Sequence, residues 1–189
     1  VKIEKGFARP QRGLTLLELL IAIALTALLF GFAAPNAVSI LDQSRMTAHV
    51  NRMSSVLQLT RFEAINHSYI ASLCPSPDLS TCNIHDWNLP KILFADSNHN
   101  GVRDSDEPLI HATNETPKGL RVTGPKRIIR FYEDGTIGSP STILICPERP
   151  RPELNRALFV SLQGRVRLSK DTNDDNIHEK GNGSPLVCS

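Results

Sequence analysis

The chain has 189 residues, 40% apolar and 21% charged, and its 21 Lys and Arg against 19 Asp and Glu leave a formal net charge of +2. That length is of single-domain size, and the ordinary composition excludes a disordered, collagen-like or polytopic membrane protein. Four cysteines are too few for a disulfide-dense miniprotein, and with 5% aromatic residues any core is mostly aliphatic.

Residues 1–13 carry Lys2, Lys5, Arg9 and Arg12 against Glu4, and an almost unbroken apolar run follows over 14–34. A basic flank ahead of a greasy stretch keeps the positive end in the cytoplasm. About 20 helical residues span a hydrocarbon core of ~30 Å. A cleavable secretory signal is the default reading of such a segment. Yet no small-x-small cleavage site closes the run, because Ala33 and Ala34 lead straight into Pro35. Glu18 lies near its start, and a carboxylate at the centre of a membrane helix costs about 2.5–3.5 kcal/mol on insertion scales. Such an acid calls for a partner.

Gly13-Leu14-Thr15-Leu16-Leu17-Glu18, behind the basic leader and opening the apolar run, resembles the prepilin processing motif of type IV pilins and type II secretion pseudopilins. The resemblance implies that a prepilin peptidase cuts after Gly13 on the cytoplasmic side and methylates the new amine of Leu14, which stands in place of the usual Phe. Glu18 becomes the fifth residue of the mature chain. The resemblance also implies a single pass through the bacterial inner membrane with the head in the periplasm. Assembly with other major and minor pilins into a pilus or pseudopilus fibre then follows. A charged N-terminal amine inside an apolar helix bundle is costly when unpaired. The Glu18 carboxylate of a neighbouring subunit can neutralise it and set the axial register. Gly31 and Pro35 fall where helices of this family bend or loosen.

Beyond Pro35 the helix is expected to continue. Val50, Met53, Leu57, Arg61 and Ala64, with Val56 and Thr60, follow steps of 3 and 4 residues up to about Asn66. Arg45, Arg52, Glu63 and the charged end of Arg61 are expected on the opposite, solvent side. From Tyr69 onward the helical period gives way to short apolar runs separated by turn residues. They fall at 69–73, 91–95, 109–112, 120–122, 128–131, 142–145, 158–162 and 165–168. Together with the resemblance this predicts an α+β, type IV pilin-like fold, a long N-terminal helix packed under an antiparallel β-sheet head. The expected organisation is a leader over 1–13, a membrane or filament-core helix half over 14–35, an amphipathic half over 36–67 and a β-rich head over 68–189. Residues 170–189 read as a polar tail looping back over the sheet.

An exported head permits disulfides. Four cysteines allow three connectivities. Cys74 with Cys82 would close a short Pro-rich loop and Cys146 with Cys188 would pin the tail, and this pairing is favoured. No CxxC or paired-His spacing accompanies the cysteines, so no metal and no cofactor is expected there. Asp96, Asn98, Asn100, Asp104 and Glu107 with Gly101 match a 12-residue calcium loop in letters. Strand-like flanks and Pro108 favour a Gly/Asn turn between strands instead. The acidic stretch 171–176 reads as a solvated loop.

Charge is segregated along the chain. Loss of the leader takes the net charge to −1, but residues 84–117 sum to −4 and 171–189 to −3, whereas 118–170 sum to +7. A mostly arginine block in a near-neutral protein suggests a polyanion partner. Within it, Gly164-Arg165-Val166-Arg167 stands at an expected hairpin. Arg165 and Arg167 would project to one face of a strand, where two guanidinium forks can grip successive phosphates, and Gly164 would let the backbone approach. Such contacts position nucleic acid without reading its sequence. The alternative is a solvated hairpin whose arginines pair with Glu148 or Glu153.

The processing motif, head cysteines, Asp-Asn-Gly turn and this Gly-Arg-x-Arg motif together resemble the FimT-type minor pilins, which bind DNA in natural transformation. The resemblance implies double-stranded DNA as partner and Arg165 and Arg167 as its contacts. Arg149, Arg151, Arg156 and Lys170 are added on proximity and charge. The competing class is an assembly component: a GspH-like pseudopilin of type II secretion, or a pilus-priming minor pilin that does not touch DNA. No catalytic constellation emerges, and His49, His67, His85, His99, His111 and His178 read as surface or turn residues.

Overall fold

The computed structural model covers Gly13 and residues 15–188, with the backbone alone over 32–37. The expected leader 1–12, Leu14 and Ser189 lie outside the described residues. The chain divides into two compact units, Val1–Asp42 and Gln43–Ser189. One helix, α1 (Leu16–His67), runs from the first into the second.

In the first unit, Thr15 caps α1. The Glu18 backbone N–H donates to Thr15 Oγ1 at 3.2 Å, and the Leu19 N–H donates to the Thr15 carbonyl at 3.1 Å. Thr15 and Glu18 thus occupy the first and last positions of a capping-box spacing. Leu16, Leu20, Ile23, Leu28 and Phe30 are all more than half exposed in the isolated chain. Among the described residues no helix is long and apolar enough to cross a membrane. The apolar run of the sequence extends into 32–34, whose side chains lie outside that description.

In the second unit, Met46, Val50, Met53, Val56, Leu57 and Ala64 of α1 are buried, as the 3- and 4-residue steps require. They join one cluster with Leu73, Leu93, Ile129, Phe131, Ile143, Ile145, Leu158 and Val160. Eight strands supply these partners: β1 (Ala71–Pro75), β2 (Lys91–Ala95), β3 (Leu109–Ala112), β4 (Leu120–Thr123), β5 (Ile129–Phe131), β6 (Ser141–Pro147), β7 (Arg156–Val160) and β8 (Val166–Leu168). They form two four-stranded sheets, in the orders β3-β2-β1-β5 and β4-β6-β7-β8, and every pairing is antiparallel. β1 and β2 are buried along their whole length. Their second face is covered by a small cluster of Cys74, Ile92 and Phe94 with Cys82 and Ile128.

Both disulfides favoured by the sequence are present, Cys74–Cys82 and Cys146–Cys188. The second holds the tail, whose Leu186 carbonyl also accepts a bond from Asn155 Nδ2 at 3.0 Å. Two placements differ from expectation. Arg61 turns inward, its Nε donating to the carbonyl of Gly135, in the turn after β5, at 3.0 Å. His49 is not a surface residue. It is 5% exposed, and neither ring nitrogen has a hydrogen-bond partner.

Candidate nucleic-acid interface

The β7–β8 hairpin is closed by short-range hydrogen bonds. Ser161 N–H donates to the Arg165 carbonyl at 3.0 Å, Gly164 N–H to the Ser161 carbonyl at 2.8 Å, and Arg165 N–H to Ser161 Oγ at 3.3 Å. Gly164 has φ +70°, and a Cβ there would collide with the Gly135 carbonyl oxygen and crowd Arg61. Gly164 is buried, so its close approach is to a neighbouring turn rather than to a ligand. The expected role of Gly164 in admitting a phosphate is corrected accordingly.

The register decides which way the arginines face. Leu158 pairs with Leu168, Phe159 with Arg167 and Val160 with Val166. Leu158 and Val160 belong to the core, so Phe159 and Arg167 point to the outer face. Arg165, two residues earlier and paired with Ser161, falls on the same side. Both arginines are exposed, and among the described residues neither has an ion-pair partner. Glu153, one of the two acids considered for them, is held by Arg151 at 2.9 Å.

The other candidates do not gather with this pair. Arg156 shares the inner parity of Leu158 and Val160. It is half-buried and donates to the Glu153 and Asn155 carbonyls at 2.8 Å each, and burial pulls its pKa down. Arg151 is engaged with Glu153. Both are corrections to the expected set: the pleat and local partners, not distance along the chain, govern which guanidiniums are free. Arg149 and Lys170 are exposed, but they lie towards the end of the sheet where β7 begins and β8 ends, away from the turn. Arg130 of the basic block lies on the other sheet, 3.3 Å from Asp96.

Two further exposed cations of the basic block, Lys126 and Arg127, stand outside the expected set. Lys126 and Arg127 line a groove of about 740 Å³ together with Ser139 and Ser141, and Arg127 Nη2 reaches the Pro140 carbonyl at 3.5 Å. Ser141 pairs with Val160, and Val160 with Val166, so this groove meets the sheet at the end that carries Arg165. Only the strand register reveals that neighbourhood.

The calcium-like loop is closed by its own protein donors. Asp96 Oδ1 accepts the Gly101 N–H at 3.1 Å, and Asp96 Oδ2 accepts Ser72 Oγ at 2.9 Å beside Arg130. Glu107 accepts the N–H groups of Ser97 and Asp104 at 2.7 and 3.1 Å. It is a strand connection with Gly101 at φ +75° and His99 at φ +66°.

Comparison with known proteins agrees with this architecture. The model of the family described as type II transport protein GspH matches residues 49–164, and that of the prokaryotic N-terminal methylation motif matches 8–34. The crystal structure of the type IV minor pilin FimU from Pseudomonas aeruginosa superposes with a TM-score of 0.52 at 19% identity, over 67% of this chain and 90% of that one. This likeness concerns the fold. The minor pseudopilin EpsH from the type 2 secretion system of Vibrio cholerae gives a TM-score of 0.48 at 16% identity, over 66% of this chain and 95% of that one. No curated protein matches the chain. With the first family model spanning well over half of the 189 residues and the methylation motif ahead of it, the chain belongs to the GspH family of minor pilins and pseudopilins, which serve type IV pili or type II secretion.

Proposed function

We propose that this chain is a minor pilin of a type IV pilus whose head binds the backbone of extracellular double-stranded DNA, without reading sequence, for uptake in natural transformation. The supporting observation is Arg165 and Arg167, exposed on one face of an edge hairpin with no carboxylate partner among the described residues. Lys126 and Arg127 extend the positive field at the same end of the sheet. Guanidinium groups held this way suit phosphate oxygens, and such contacts fix position while leaving base edges unread.

The remaining parts of the reading follow from the family. A prepilin peptidase cuts after Gly13 and methylates Leu14, the helix anchors the chain in the inner membrane with its head in the periplasm, and Glu18 neutralises the N-terminal amine of a neighbouring pilin in the fibre. A second reading, a pseudopilin of type II secretion or a priming subunit that never meets DNA, is favoured by the description of the matching family. The two part on one measurement. The detergent-solubilised full chain is titrated with labelled duplex DNA at low salt, beside R165Q/R167Q. Binding that is weakened in the double variant supports DNA capture. Equal binding by both proteins removes the proposed site, and no binding by either supports the assembly reading.

A further inference from the structure

After β8 the chain passes through a loop and returns to make the bridges Lys170↔Glu179 and Glu179↔Pro185, before the tail is tied down at Cys188. We propose that Asp171, Asp175 and Glu179 in this loop bind a calcium ion. One carboxylate oxygen from each of the three lies within 4.8 Å of the others. Two oxygens each about 2.4 Å from a shared Ca²⁺ are at most about 4.8 Å apart, and the three carboxylates meet that condition.

Glu179 points independently to a ligand. It is 4% exposed, and its two oxygens are used unequally. Oε2 accepts the Thr172 N–H at 2.9 Å and Thr172 Oγ1 at 2.8 Å, whereas buried Oε1 has no partner. A buried acceptor left unmade is costly, and buried carboxylates are retained when paired or bound to metal. No Lys or Arg forms an ion pair with any of the three acids among the described residues. A cation is the group this cluster lacks.

The rest of the loop suits an oxygen-loving ion. Asp171 Oδ1 and Oδ2 accept the N–H groups of Asp174 and Asn176, each at 2.8 Å, which fixes the carboxylate while leaving lone pairs on both oxygens. Asn176 has φ +67°, the sharp turn that a calcium loop places at its sixth position, and it is the sixth residue counted from Asp171. All three side chains offer oxygen, which suits Ca²⁺ better than a soft transition metal. Asp175 likewise accepts the Ile177 N–H at 2.8 Å and Asn173 Nδ2 at 3.1 Å. The distinction from the loop over 96–107 is therefore Glu179 Oε1: there both oxygens of buried Asp96 and of buried Glu107 accept from protein donors.

The test is calorimetric titration of the EDTA-stripped full chain in detergent with CaCl₂, using MgCl₂ as comparison. One saturable site is expected, with affinity in the roughly 10⁻⁴–10⁻³ M range of extracellular calcium modules. Exposed Asp175 allows D175N to be made without disturbing the core, and it should weaken uptake at least about tenfold. D174N, which removes an acid outside the cluster, should bind as the parent does. Calcium should also raise the parent's unfolding temperature, and should fail to do so in D175N. No saturable uptake by the parent up to about 10 mM Ca²⁺ would overturn the assignment. Uptake in D175N equal to that of the parent would overturn it as well.

Discussion

The Gly135 carbonyl oxygen occupies the space that a Cβ would need at Gly164, so the turn after β5 and the β7–β8 turn meet backbone to backbone. Arg61 seals the junction by donating to the same oxygen. Both glycines have positive φ, +77° at Gly135 and +70° at Gly164. Alanine at 164 combines a left-handed conformation with a backbone collision that no flexible side chain can relieve. We expect G164A to lose about 2–4 kcal/mol in denaturant unfolding. R165Q and R167Q, on exposed positions, should stay within about 0.5 kcal/mol of the parent. A loss of DNA binding in the arginine variants would then not be a folding defect.

Much of this head was legible in the sequence. All eight strands fall at the apolar runs, because alternating burial and Gly/Pro punctuation are local signals. The helical stripe from Val50 to Ala64 was equally plain, since its period is set by α1 alone. What escaped depends on how distant segments meet. Arg156 looked like a member of the basic site until its register with Ile145 placed it on the core side. Lys126 and Arg127 are some forty residues from Arg165 in sequence, and only the β6–β7–β8 ladder brings their loop to the same end of the sheet. Gly164 carried a correct signal, a need for close approach, but no sequence rule could say that Gly135 was the partner.

If Lys126, Arg127, Arg165 and Arg167 each neutralise one phosphate, log K should fall with log salt at a slope of about −3 to −4. R165Q/R167Q should flatten that slope by about 2, whatever the DNA composition. R149Q should leave it unchanged, because Arg149 lies away from the turn. Fluorescence anisotropy at several salt concentrations, with AT-rich and GC-rich duplexes, measures all three quantities. A slope that R149Q flattens as much as the hairpin pair would relocate the interface.

The two disulfides should differ in their contribution. Cys146–Cys188 closes a separation of 42 residues and Cys74–Cys82 one of 8. In the chain-entropy account, the longer loop stabilises by about 4 kcal/mol and the shorter by about 2.5 kcal/mol. We expect C146S/C188S to lower the denaturation midpoint more than C74S/C82S. Reversal of that order would mean that the short loop is needed to cover the outer face at Phe94.

Burial should make stability depend on pH through His49 and Lys91. The His49 pKa is lowered from 6.5 to about 4 by burial first, then by the charges of Lys91 and Arg52. The unfolded chain therefore takes up a proton near pH 6.5 that the folded chain refuses until about pH 4. Stability from this group is complete above pH 6.5 and is lost as pH falls through that window, by ~3 kcal/mol at most. Lys91, 1% exposed, is pulled from 10.5 to about 8 mainly by burial, so stability should rise again between those values. H49L should remove the acid-side dependence between pH 6.5 and 4 relative to the parent, and should not weaken the neutral protein, since neither ring nitrogen is hydrogen-bonded. K91M should raise the His49 pKa, which NMR titration of the imidazole reads directly. A His49 that titrates near 6.5 in the folded parent would show that its ring reaches water.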